Sequence, residues 1–240
     1  MSTKSPQKQE NGTVALVLAG CGAKDGSEIT EAVSLLVALS QRGFQVQCFA
    51  PDRNTHDVIN HLTGHSQQAE RSQLEEAARI ARGHIQPLSA LKASNHSAVV
   101  VAGGFGVVKN LCNFAFSGRE ATLHADVHAA LLPFMTADKP CAALCIAPMV
   151  LALLCKEAGY KGAELTLGSG EARDAVAALE FWGARHVPTR PGQACVDSKH
   201  RLVTAPAYMY DDATPADVFA SADALVQGLV HLLEISHRGA

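Results

Sequence analysis

Residues 142–148 read Ala-Ala-Leu-Cys-Ile-Ala-Pro. Small aliphatic residues in unbroken succession fit a strand buried on both faces, the kind found in parallel sheets. Pro148 suits the first turn of a helix, where its missing N–H is not needed. A strand passing through one tight turn into a helix lifts Cys145 above the sheet edge, which is the logic of a nucleophile elbow. The helix N-terminus would then favour the thiolate. The G-x-S-x-G form is absent, so the match is one of context, and a buried structural cysteine is the competing reading.

On either side of this run the chain repeats strand then helix. Thr13–Ala19 (TVALVLA), Phe44–Ala50 (FQVQCFA) and Ser97–Ala102 (SAVVVA) are apolar runs bounded by Gly or Pro and predict buried strands. Helical spacing predicts helices over 28–41, 74–82, 109–116, 123–135, 147–155, 172–182 and 215–235. Glu164–Leu167 predicts a further strand, while Val58–Leu62 is too short to decide. Gln193–Asp197 and Arg201–Thr204 flank Ser198-Lys199-His200 and predict a late hairpin. The pattern predicts an α/β fold: a doubly wound, mostly parallel sheet with helices on both faces and a small antiparallel extension. One domain is expected over 13–240, after a disordered tail over 1–12.

Composition agrees with such a core. The 240 residues are 48% hydrophobic, 5% aromatic and 18% charged, so Ala, Val and Leu must fill the interior and wholesale disorder is excluded. Twenty basic against 23 acidic residues, a net charge of −3, give no support for binding nucleic acid or an anionic membrane surface. No stretch approaches the roughly 20 apolar residues of a membrane span. No two of the seven cysteines have C-x-x-C spacing, which points to a reducing compartment without a zinc ribbon. Residues 1–12 hold neither an apolar secretion core nor an Arg, so no secretory signal is expected; cytoplasm and mitochondrial matrix stay open.

Other stretches have chemical readings beside bland ones. Gly103-Gly104-Phe105-Gly106 follows a predicted strand, where glycines let backbone amides approach a ligand or oxyanion. It fails as a dinucleotide fingerprint because Lys109 stands where the third Gly belongs, and no cofactor is expected. Asp25-Gly26-Ser27-Glu28-Ile29-Thr30-Glu31 resembles helix-capping chemistry, with Ser27 paired to Glu31 or Asp25 to Glu28. Glu31 shares the helix face of Ala32, Leu35 and Ala38, however, and would lie at the carboxyl edge of the sheet, with Glu28 turned outward. Cys21, between two glycines at a strand end, is a secondary candidate. His56, His61 and His65 lack a further ligand and the H-E-x-x-H pattern, so no metal is expected.

These signals, in this order, resemble the DJ-one/PfpI superfamily of class I glutamine amidotransferase-like proteins. Within it the chain is similar to the ElbB family, whose mitochondrial members are called ES-one proteins. The matching stretches are VALVLAGCGAKDGSEITEA (14–32), CFAPD (48–52), DVINHLTG (57–64), EAARIARG (76–83), GGFGVVKNL (103–111), CIAP (145–148) and VTAPAYM (203–209). The resemblance implies a flavodoxin-like fold of six or seven strands. It places Cys145 as the reactive thiol, Glu31 as the carboxyl beside it, and Gly104 and Ile146 as the oxyanion-binding amides. Cys21, Gly103, Asn110 and His186 are further candidates for the pocket.

Departures from the wider superfamily matter too. No H-x-E occurs late in the chain, which disfavours glutamine hydrolysis, and Ile146 stands where PfpI-type peptidases carry His. Gly168, in LTLGSG, falls at or beside a position where many relatives hold a histidine, and His186 is the candidate substitute. The resemblance implies either of two functions. One is a cofactor-independent glyoxalase acting on small aldehydes such as methylglyoxal, with Cys145 as nucleophile and Glu31 as proton shuttle. The other is a redox sensor or interaction protein working through reversible oxidation of Cys145. A homodimer is expected from the same resemblance.

Overall fold

The structure is a computed structural model that describes residues 12–238; the tail expected at the N-terminus lies outside the described residues up to residue 11. The first half comprises β1 (Thr13–Val17), α1 (Ile29–Gln41), β2 (Gln45–Ala50), β3 (Val58–Ile59), β4 (Ser66–Gln67), α2 (Gln73–Ile80), β5 (Ile85–Pro87) and β6 (Ala98–Val101). Then come α3 (Val107–Asn110), α4 (Phe114–Ser117), α5 (Ala125–Thr136), β7 (Cys141–Leu144) and α6 (Pro148–Glu157). The chain finishes with β8 (Glu164–Leu165), α7 (Arg173–Phe181), β9 (Arg185–His186), β10 (Cys195–Asp197), β11 (Leu202–Ala205) and α8 (Pro215–Arg238).

Seven strands form one sheet in the order β10-β11-β7-β6-β1-β2-β5. Every neighbouring pair is parallel except β10–β11, which is the predicted hairpin. From β1 the chain winds one way to β2 and the other way to β6, β7 and β11, the flavodoxin-like order with its switch point between β1 and β6. Residues 14–19 are wholly excluded from solvent, as an unbroken apolar run demands. Helix α6 is buried along all of Pro148–Cys155 and backs the centre of the sheet. Helix α8 is long and apolar enough over Pro215–Ile235 to cross a membrane by length and composition, contrary to expectation. It packs across α1 and β11, and Arg42, just past the end of α1, pairs with Asp223 on it at 2.5 Å.

Four local expectations change. The helix expected over 109–116 splits into α3 and α4, because Asn110 is tied to the Ala19 and Asp25 carbonyls and Cys112 bridges Leu123. Strand β5 was not foreseen; its Pro87 is tolerated at the sheet edge. The strand expected over 164–167 stays outside the main sheet and pairs β8 with β9. The capping pairs also differ. Ser27, pulled beneath the sheet edge, accepts from Ala19 N–H at 3.0 Å, and Glu28 itself caps α1 by accepting from Glu31 N–H at 2.7 Å.

Candidate active site

The carboxyl ends of β1, β6 and β7 converge beside the switch point. After β7 the chain turns at Cys145, whose φ of +62° is left-handed and costly for a side-chain-bearing residue. Its N–H still donates to Ala205 O at 2.9 Å, which keeps the elbow in register with β11. Helix α6 begins three residues on, at Pro148, as its sequence dictates. The first turn of α1 brings in Glu31, which is fully buried. The loop after β6 passes between the two groups. A Cβ on Gly103 would collide with Glu31 Oε2 and come within 2.5 Å of Cys145 Cβ. Carboxyl and thiol therefore close on the same point from two different elements.

The pair's environment sets its protons. Glu31 Oε1 accepts from Tyr208 N–H at 3.4 Å, and Oε2 has no N–H or O–H partner among the described residues. The neighbours that favour the charged form of Glu31 are the Cys145 thiol and the Tyr208 and Gly103 N–H groups. Burial pushes the Glu31 carboxyl up to about 8, against the thiol bond, and the Glu28 charge adds to the rise. Burial also pushes the Cys145 thiol well up, reinforced by the Glu31 charge and hydrogen bond. The Gly104 and Ile146 N–H groups, both aimed at the sulfur, pull the other way. The expected helix-favoured thiolate is thus corrected for the resting protein: desolvation outweighs the amide dipoles, and at neutral pH the pair holds both protons.

Above the pair lies an open cleft of about 930 Å³. Glu28, Phe105, Phe114, Tyr208 and Met209 line it, and the first turn of α7 closes one side. With this geometry in place, two curated relatives are informative. The chain is 41% identical over 208 residues to human glutamine amidotransferase-like class 1 domain-containing protein 3, mitochondrial, covering 83% of this chain and 76% of that protein. It is 42% identical over 204 residues to the rat ES1 protein homolog, mitochondrial, covering 82% and 75%. The chain belongs to the ES1 family.

The ES1-family fold is also seen in the crystal structure of an isoprenoid biosynthesis protein with an amidotransferase-like domain from Ehrlichia chaffeensis. That match has a TM-score of 0.83 at 30% identity and covers 91% of this chain and 99% of the other. Glyoxalase III from Candida albicans shares the fold alone, with a TM-score of 0.56 at 15% identity over 90% and 97% of the two chains. No family model matches the chain.

In this ES1-family chain Cys145, Glu31, Gly104 and Ile146 meet at one cleft. Three other candidates do not reach it. Asn110 is a buried staple that also takes His56 N–H on its Oδ1, and it lines a separate cavity beside Arg53 and Lys109. His186 is held in β9 against Gly170, and Cys21 is half-buried among the charges of α2. Gly103 belongs to the site as the gap that lets Glu31 and Cys145 approach. Glu28 faces the cleft rather than outward, because its carboxylate caps α1. Tyr208, Met209 and the residues opening α7 were missed. For the first two the signal was available, since AYM directly follows a strand at the same sheet edge. Among the described residues no group of three or more His, Cys, Asp or Glu is placed to hold a metal.

Proposed function

We propose that the protein is a cofactor-independent glyoxalase converting 2-oxoaldehydes, R–CO–CHO, into 2-hydroxy acids, R–CH(OH)–COOH, with water as co-reactant. The observation that carries this reading is the buried Glu31–Cys145 pair beneath two convergent N–H donors on the floor of an open cleft. Loss of one proton from the pair leaves the Glu31 carboxylate beside the thiol; as the sulfur attacks, its proton passes to Glu31 and the Gly104 and Ile146 amides stabilise the charge developing on it. The sulfur adds to the aldehyde carbon, whose oxygen takes the Glu31 proton to give a hemithioacetal. The Glu31 carboxylate then removes the hydrogen from C1 as a proton and returns it to C2, while the hydroxyl proton passes to the C2 oxygen. Water cleaves the resulting thioester, which releases the acid and restores the thiol. No oxidant is consumed.

One proton must leave the pair before the sulfur attacks, and the carboxyl sits near 8. Turnover should therefore rise about tenfold per pH unit below pH 8 and level off above it, as initial rates across pH 6–9 would show. The deciding measurement is lactate formed from methylglyoxal without added thiol. Product from wild type no faster than from Cys145→Ser would overturn the enzymatic reading. One observation favours the second reading, a redox sensor: among the described residues no imidazole lines the cleft. In that case a protonated Glu31 would donate to a sulfenate formed on Cys145 by peroxide.

The mitochondrial relatives support a mitochondrial location. The homodimer is proposed through α1, where Ile29, Val33 and Val37 form an exposed apolar stripe at four-residue spacing. Light scattering should give twice the mass of one chain, and Val33→Glu should return it to one.

A further inference from the structure

The cleft is out of proportion to methylglyoxal. A three-carbon oxoaldehyde takes the room of a few waters, on the order of 100 Å³ at ~30 Å³ per water. The space above Cys145 is about 930 Å³. Sites of that size enclose ligands of drug-like dimensions. Most of its wall area beyond the reacting pair is apolar, from Phe105, Phe114, Met209, Ala172 and Ala175, while Glu28 and the exposed Glu171, Arg173 and Asp174 supply charges on its border.

The cleft also continues. A second recess of about 430 Å³ shares Phe114 and Asp174 with it and runs along α7 past Ala177 and Ala178 to Phe181. Phe105 is 51% exposed and Phe181 58%, so the aromatic surfaces at the two ends of this path lie open to solvent. Exposed aromatic surface contiguous with a reactive site marks where a ligand lies. Phe181 is held in place by the Arg119 guanidinium, 5.3 Å above its ring, and Phe114 by the edge of Trp182 at 5.9 Å.

We infer that the substrate is an elongated carbonyl compound, its 2-oxoaldehyde end at Cys145 and an unbranched apolar body laid over Phe105 and Phe114 toward Phe181. The reactive end rests on the glyoxalase reading; the apolar body rests on the cleft and its recess. The chemistry is unchanged by R. One water is consumed, and the hydrogen of C1 appears on C2. Each methylene buried along the path should tighten binding about two- to fourfold, the upper value being about 0.8 kcal/mol per CH₂.

Two measurements on the full chain test this and separate it from the glyoxalase reading. Calorimetric titration with unreactive straight-chain 2-alkanones, from acetone to 2-octanone, should show Kd falling two- to fourfold per methylene. Turnover of the matching alkyl oxoaldehydes should show kcat/KM rising in parallel. In Ala177→Trp, which fills the recess from an exposed position, the gain should stop at shorter chains. Undetectable alkanone binding, affinity independent of chain length, or an identical length dependence in Ala177→Trp, would overturn the inference. Tightening with length while no oxoaldehyde is turned over would overturn the glyoxalase reading and leave the apolar substrate class standing.

Discussion

Glu31→Gln should abolish turnover while making the folded protein more stable. The amide keeps the shape of the carboxyl and can still donate a hydrogen bond to the sulfur, but it cannot carry a proton between C1 and C2. Loss of that general acid–base step should cost about 10²–10⁴-fold in kcat. The stability change follows from burial. The carboxyl sits near 8 in the folded chain against 4.5 unperturbed, so between those values the folded state binds the proton more tightly than the unfolded chain. Glu31 therefore favours folding below pH 4.5, and that contribution is lost as pH rises toward 8. At pH 7 the penalty is about 3 kcal/mol, from some 1.4 kcal/mol per pH unit. Gln carries no such penalty. Urea unfolding should show the variant more stable than wild type by up to that amount at pH 7, with the curves drawing together near pH 4. A variant gain that does not depend on pH would refute the assigned protonation.

Gly103→Ala should damage both fold and chemistry. The added methyl would meet Glu31 Oε2, Cys145 Cβ at 2.5 Å and the Leu144 carbonyl at 2.6 Å. None of these can yield cheaply: Leu144 is fully buried in β7 and Cys145 is pinned by its N–H to Ala205. Overpacking in a rigid surround costs about 1–3 kcal/mol, and the clash with a backbone oxygen places this site at the upper end. Relief by pushing Glu31 aside would separate it from the thiol. Turnover should fall at least about 100-fold, since small misplacements of reacting groups have effects of that order. Urea midpoints and lactate production measure the two effects separately. A stable Gly103→Ala protein with wild-type rates would mean that the carboxyl and thiol do not share this gap.

The positions of the central groups were legible because each lies at a strand's carboxyl end or opens the helix that follows one. Cys145 follows β7 directly, Gly104 stands in the turn after β6, and Glu31 opens the helix after β1. Parallel strands bring such ends together whatever their distance along the chain. The walls of the cleft were less legible, because they depend on how α7 crosses above the sheet, and its short apolar spacing does not encode that crossing. His186 and Asn110 were misplaced for a related reason. Strand β9 pairs with β8 apart from the main sheet, and the Asn110 amide turns inward to the Ala19 and Asp25 carbonyls. The protonation of Cys145 was misjudged because the sequence shows the helix start but not the depth of burial.

The hydrogen bond from Tyr208 N–H to Glu31 Oε1 joins groups 177 residues apart. During synthesis, a nascent chain that has emerged only as far as the start of α6 already contains the cysteine, the glutamate and both amide donors. It still lacks the strand that pins the elbow through Ala205 and the turn that holds the carboxylate. Because these last supports come from Ala205 and Tyr208, the pair is fixed in place only after β11 and the turn beyond it have been made. Premature termination before β11 should therefore yield fragments that form no lactate from methylglyoxal.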